Sequence, residues 1–116
     1  MSVDNLAAKY LKDCHMGKVF KDFGQAVNEE LETCISERDT VIICLALALG
    51  QKCDPCIEFW LRRAIEHMIP ESSLRDVLAL NVKMGGGPGM MYSAKAWDIY
   101  TDLKPKYDTT LRRWKT

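Results

Sequence analysis

The sequence predicts an all-α fold, and three observations lead there. Apolar residues recur at helical spacing along most of the 116 residues, with no stretch that alternates at the two-residue period of a strand. Capping and breaking residues punctuate these stripes at short intervals. The most apolar stretch, residues 41–49, is followed within a few residues by a second helix start at Cys53-Asp54-Pro55-Cys56. So short a connection implies two antiparallel helices packed as a hairpin at the centre of the fold.

Taken in order, residues 3–12 form a weakly patterned first helix, which Met16-Gly17 is expected to break. Cys14 and His15 fall at this break and read as loop residues rather than as a ligand pair. Residues 18–32 form a second helix with Val19, Phe20, Phe23, Val27 and Leu31 on one face. Ser36 is placed to cap the third, with Asp39 where a capping box takes Glu. That helix runs to about Gly50 and is apolar on every side, from Val41 through Leu45 to Leu49. A helix of this kind is normally buried all round, and one small domain cannot cover it, so contacts between subunits are expected.

In the fourth helix Asp54 is expected at the N-cap, Pro55 at the first helical position and Cys56 in the first turn. Ile57, Leu61, Ala64, Ile65 and Met68 mark its core face, with Cys56, Trp60, Arg63 and His67 along the neighbouring stripe. A fifth helix starts at residues 70–72, turns Leu74, Val77, Leu78 and Leu80 inward and ends at Met84. The run Gly85-Gly86-Gly87-Pro88-Gly89 has no Gly-Lys-Ser/Thr ending and no preceding strand, so it fits neither nucleotide-binding fingerprint. It reads as a close turn between helices, where glycine permits positive φ and close backbone approach. The last helix starts at Pro88, faces Tyr92, Ala96, Ile99 and Leu103 inward, and is expected to stop at Lys104-Pro105. That leaves a polar tail, 104–116, which holds Trp114.

A chain of this length makes one domain, 1–116, with one modest core. Sixteen basic and sixteen acidic side chains balance, so no electrostatic pull toward nucleic acid or an anionic membrane is expected. The longest apolar run is about half of the roughly 20 residues that a membrane span needs. The opening residues, interrupted by Asp4 and Lys9, carry no secretory signal pattern. Five cysteines, an odd number, point to a reducing compartment rather than to a disulfide framework, and the cytoplasm is the expected location.

The chemistry-bearing motif is Cys53-x-x-Cys56. Two thiols at this spacing can close a small disulfide or stand side by side as reactive groups, and a thiolate in a first helical turn is favoured by free N–H groups and the helix dipole. Asp54 opposes this by like charge. The bland reading is that two small apolar cysteines fill a corner between helices. Cys44, counted back across the hairpin, falls near the level of Cys56. It is most simply a small buried hydrophobe, with a resolving thiol or a third zinc ligand as the other readings.

With Cys53-Asp54-Pro55-Cys56-Ile57-Glu58-Phe59 after an apolar helix, and Met84-Gly85-Gly86-Gly87-Pro88 leading into Met91-Tyr92, the chain resembles the carboxymuconolactone decarboxylase family over roughly residues 20–100. Within the family it looks like the branch similar to alkyl hydroperoxide reductase D. The resemblance implies an all-α fold with a central helix hairpin carrying the cysteine pair, and a homotrimer or a hexamer of trimers. It also implies thiol–disulfide chemistry at Cys53 and Cys56 as catalytic residues, without a metal or separate cofactor. Redox members carry a Glu twelve residues before the first cysteine and a His four after the second, as a proton relay. Here those positions hold Val41 and Trp60. Counting from the hairpin sets the two opposite each other, so they read as one repacked contact. Glu37, Glu58 and His67 are poorly placed to restore the relay, and a thiolate would lean on the helix terminus and on Lys52, Arg62 or Arg63.

The expected function is therefore a thiol–disulfide oxidoreductase or weak peroxidase, fed by a dithiol donor and lacking the relay. The alternative is a non-catalytic oligomeric scaffold or small-ligand binder whose cysteines are structural. Decarboxylation of an acidic lactone is a third reading, for which no set of His and Arg is assembled in the sequence.

Overall fold

The computed structural model describes the backbone of residues 3–115 and the side chains of residues 8–108. All the regular structure in the described residues is helical: α1 (Val3–Asp13), α2 (His15–Glu30), α3 (Glu37–Gly50), α4 (Asp54–Glu66) and α5 (Glu71–Lys115). The chain divides into two compact units, Met1–Ile35 and Ser36–Thr116.

In the first unit α1 and α2 pack on each other. The break lies at Cys14, the N-cap of α2, and not at Met16-Gly17. The Cys14 backbone is extended while its carbonyl already accepts from the Gly17 N–H at 3.1 Å, so residues 16 and 17 join the first helical turn. Among the described side chains of this unit Gly17 alone is buried. Val19, Phe20, Phe23 and Val27 lie along α2 as the spacing predicts, but Leu31 is its extended C-cap, since the helix ends at Glu30, and all five stay exposed. Two short helices have too little surface to enclose a face of this width.

The second unit holds the core. The Ser36 hydroxyl accepts from the Asp39 N–H at 3.0 Å and its carbonyl accepts from the Thr40 N–H at 2.9 Å, so α3 is capped where expected. Burial along α3 follows Val41, Leu45, Ala48 and Leu49, and along α4 Ile57, Leu61, Ala64 and Ile65, each one helix face. Ile43 and Leu47 of α3 stay exposed, so the helix is covered on one side and open on the other. Val41, near the start of α3, clusters with Ala64, near the end of α4, which makes the pair antiparallel.

Both helices end in the same way. After α3, Lys52 takes φ +56°, its N–H bonds the Leu49 carbonyl at 3.1 Å, and the Cys53 N–H reaches the Ala48 carbonyl at 3.3 Å. After α4, Met68 takes φ +57°, its N–H bonds Ile65 at 3.0 Å, and the Ile69 N–H bonds Ala64 at 3.0 Å. These are Schellman closures with a non-glycine residue in the left-handed position. Met68 is thereby turned out of the core face assigned to it and is 75% exposed.

Two helices merge in α5 across a break at Gly86, whose φ of 59° and ψ of −138° suit glycine alone. Leu74, Val77 and Leu78 before the break, and Ala96, Tyr100 and Leu103 after it, enter one core with α3 and α4. Leu80 falls outside that face and is exposed. The halves are braced across the break: Asn81 Nδ2 donates to the Gly89 carbonyl at 2.9 Å and to Ser93 Oγ at 3.0 Å. The buried Ser93 hydroxyl donates to the Leu78 carbonyl at 2.9 Å. Contrary to expectation, Pro105 does not stop the helix, which continues to Lys115. Proline's fixed φ is a helical value, and Leu103 and Tyr107, packed on the core from either side of it, hold the helix through the lost hydrogen bond. The side chain of Trp114 lies outside the described residues.

Three neighbouring glycines should respond differently to alanine. A Cβ on Gly89 would lie 2.5 Å from the Asn81 backbone oxygen, one on Gly85 meets nothing within 4 Å, and Gly86 has positive φ. In denaturant unfolding, Gly89→Ala is expected to cost about 1–3 kcal/mol and Gly86→Ala about 1–3 kcal/mol. Gly85→Ala is expected to be neutral or to gain up to ~1 kcal/mol. A loss at Gly85 as large as at Gly89 would refute the close-approach account.

Candidate functional site

Cys53 and Cys56 are joined by a disulfide, with Cα atoms 5.2 Å apart, at the start of α4. Both are half-buried, and Cys56 packs against the main core. The turn places them there through the backbone of Cys53. Its N–H closes the end of α3 on Ala48, and its carbonyl accepts the first bond of α4 from the Ile57 N–H at 2.9 Å. Cys53 is therefore the N-cap of α4, and Asp54, expected there, is the first helical residue. The Cys53 side chain makes no capping hydrogen bond. The Asp54 carboxylate is free to turn outward, and it pairs with Lys95 of α5.

Of the cations considered for this site, Arg62 is engaged by Glu58 at 2.7 Å on its own helix. Arg63 lies 5.5 Å over the Phe59 ring and 3.8 Å from Glu66. Lys95 is the cation that reaches the cysteine ring, from 41 residues away. The hydrogen bond to Asp54 holds its ammonium above the usual lysine value, and the Tyr92 ring lies 5.7 Å from it. The sequence gives no local signal for this contact beyond a lysine three residues after Tyr92 on the same helix.

Val41 and Trp60, the positions where the resemblance implies Glu and His, share one apolar cluster. Val41 is 3% exposed and sits with Ala64 and Ile69, while Trp60 packs against them partly buried. Trp60 also makes an edge contact with Phe59, ring centroids 5.0 Å apart. Glu37 is exposed at the start of α3, and His67 is the C-cap of α4, at the end far from Cys56.

Cys44 is a free, half-buried thiol, which burial pushes above its usual pKa. That is the opposite of activation. Among the described residues no three His, Cys, Asp or Glu side chains are grouped so as to hold a metal ion.

An all-helical chain whose one disulfide among the described residues closes a C-x-x-C ring at the start of a core helix is a helical protein with a partly accessible cysteine pair. The family model for the carboxymuconolactone decarboxylase family matches residues 15–98, and the chain belongs to that family. It is similar to an uncharacterised protein of Cupriavidus necator, 46% identical over 62 residues. The match takes in 53% of this chain and 55% of the relative, so the chain spans about half the length of the curated relative it matches. The fold is similar to the crystal structure of an apo carboxymuconolactone decarboxylase family protein from Legionella pneumophila. The TM-score is 0.74 at 24% identity, over 88% of this chain and 90% of the other.

The shared cluster yields a thermodynamic test. Val41→Glu alone buries an unpaired carboxylate and is expected to cost roughly 3–5 kcal/mol. In a double-mutant cycle with Trp60→His the two changes should couple favourably by about 1–3 kcal/mol. Additivity of the two losses in denaturant unfolding would show that the positions do not face each other as a pair.

Proposed function

We propose that the chain is a thiol–disulfide oxidoreductase of the carboxymuconolactone decarboxylase family, in the branch similar to alkyl hydroperoxide reductase D, with Cys53 and Cys56 as its redox pair. The observation that carries this reading is the half-buried disulfide at a helix start, covered enough to be held and open enough to be attacked. A donor dithiol attacks one sulfur as thiolate, and the other sulfur leaves as thiolate and takes up a proton. The second donor thiol then resolves the mixed disulfide. Two electrons and two protons pass to the pair, and the donor becomes a disulfide. In the peroxidase direction a cysteine thiolate attacks a hydroperoxide to give a sulfenic acid and an alcohol, and its partner condenses with it, releasing water. With Val41 and Trp60 where the resemblance implies an acid and a base, proton transfer falls to solvent, and the turnover is slow. No separate cofactor enters this chemistry.

In addition to the pair the chain has three free cysteines, one of them the exposed Cys34, which favours a reducing compartment, the cytoplasm. No helix of the described residues is long and apolar enough to cross a membrane.

Exposed apolar residues support a homotrimer or a hexamer of trimers. They line α2 from Val19 to Leu31, and in the second unit include Ile43, Leu47, Phe59 and Leu80. Patches of this kind mark association surfaces. Light scattering at micromolar concentration is expected to give a trimer or hexamer mass, and a monomer would remove the assembly.

The redox reading is tested by equilibrating the protein in buffers from strongly reducing to strongly oxidising and counting free thiols by mass spectrometry. The expected result is a two-thiol step that vanishes in Cys53→Ser and Cys56→Ser, with the fold retained. A pair that gives no such step, and variants that lose stability instead, would leave the scaffold reading.

A further inference from the structure

Asp54 is the most awkward residue in the ring that the disulfide closes. It follows Cys53 directly and precedes Cys56 by two residues, and its negative charge disfavours the thiolate that a reduced cysteine must form to react. It is half exposed, as is Lys95, so neither side chain is needed to fill the core. Yet Lys95 comes from the far half of α5, beyond the Gly86 break and the Asn81–Ser93 brace, to pair with it. The Tyr92 ring one turn earlier flanks the ammonium. The other charges along this stretch are Lys52 before Cys53 and Glu58 after Cys56, and Glu58 is held by Arg62. The last two turns of α3 carry no charged side chain, and Cys44 is their titratable group.

We propose that Lys95 is a positioning residue for the cysteine pair: by neutralising Asp54 it sets the thiolate stability and the reduction potential of Cys53–Cys56. The inference rests on the redox reading of the pair. Loss of Lys95 leaves a bare carboxylate beside the sulfurs, so the reduced thiols ionise at higher pH and the disulfide becomes harder to reduce. Loss of Asp54 leaves a bare ammonium, and both quantities move the other way. Loss of both returns them close to their starting values, because the ion pair and two neutral side chains carry the same net charge. A purely structural tether would change stability and leave these quantities alone.

The test takes the full chain, reduced chemically, and measures iodoacetamide alkylation of Cys53 and Cys56 as a function of pH, with peptide mapping. Reduction potential is read in parallel against a dithiothreitol couple. Lys95→Met is expected to move the alkylation midpoint up by about half a pH unit, roughly threefold in thiolate at neutral pH, as one charge several Å away at a wet rim should. The shift should shrink in molar salt, and Lys95→Arg should restore the wild-type profile. Asp54→Asn should move the midpoint down, which tests the same charge balance without touching Lys95. An unchanged midpoint and potential in Lys95→Met would overturn the proposal, as would a double variant, Lys95→Met with Asp54→Asn, whose midpoint stays displaced instead of returning close to the wild-type value. Alkylation of chemically reduced thiols does not require that any dithiol donor turn the pair over. A failure of the redox reading would therefore appear in the thiol titration and leave this result standing by itself.

Discussion

The backbone of Cys53 is bonded in both directions, its N–H to Ala48 at the end of α3 and its carbonyl to the Ile57 N–H at the start of α4. One residue thus ends one core helix and opens the next. The left-handed Lys52 before it makes the reversal tight enough for this. Everything at the candidate site follows from that arrangement. The turn fixes where Cys53 leaves α3, Pro55 keeps the first turn of α4 in register, and Cys56 comes round to Cys53 with the Cα separation a disulfide takes. Packing of Leu45 and Leu49 against Ile57 and Leu61 holds the two helices together behind the turn, so the pair sits on a rigid base.

The break in α5 plays the matching part on the other side of the core. A straight helix of this length would carry its second half away from α3 and α4. Gly86 redirects the chain, and close approach at Gly89 lets Asn81 and Ser93 tie the halves together. Ala96, Tyr100 and Leu103 are thereby returned to the same core as Leu74 and Leu78. Lys95, on the turn beside Ala96, reaches Asp54 as a consequence. A backbone feature nine residues away brings Lys95 to the cysteine ring.

The two positions where the resemblance implies an acid and a base are filled here by apolar side chains. A buried acid and base must be kept together or lost together, because either alone leaves an unpaired polar group. Val41 and Trp60 meet in one cluster with Ala64 and Ile69, where Ile69 is held by the closure at the end of α4. Cys56 itself packs against the main core, and the Asp54–Lys95 pair lies on exposed surface at the opposite end of α4 from that cluster.

The all-helical class, the cap at Ser36, the hairpin, the glycine break and the Cys53–Cys56 motif were legible in the sequence, because each rests on contacts within a few residues or on a periodic face. The opposition of Val41 and Trp60 could be counted because a three-residue turn leaves little freedom of register. Misreadings arose where a local rule met a longer-range one. Pro105 reads as a stop, but Leu103 and Tyr107 are held to the core on either side of it. Met68 reads as core, but a left-handed closure turns it outward. The shift of the N-cap from Asp54 to Cys53 was invisible as well, since it depends on which carbonyl first accepts a helical bond. Tertiary structure alone decided that Asp54 is answered by Lys95, whereas Arg62 and Arg63 are engaged within their own helix. Side chains 41 residues apart share no periodicity, and only the packed path of α5 sets the distance between them.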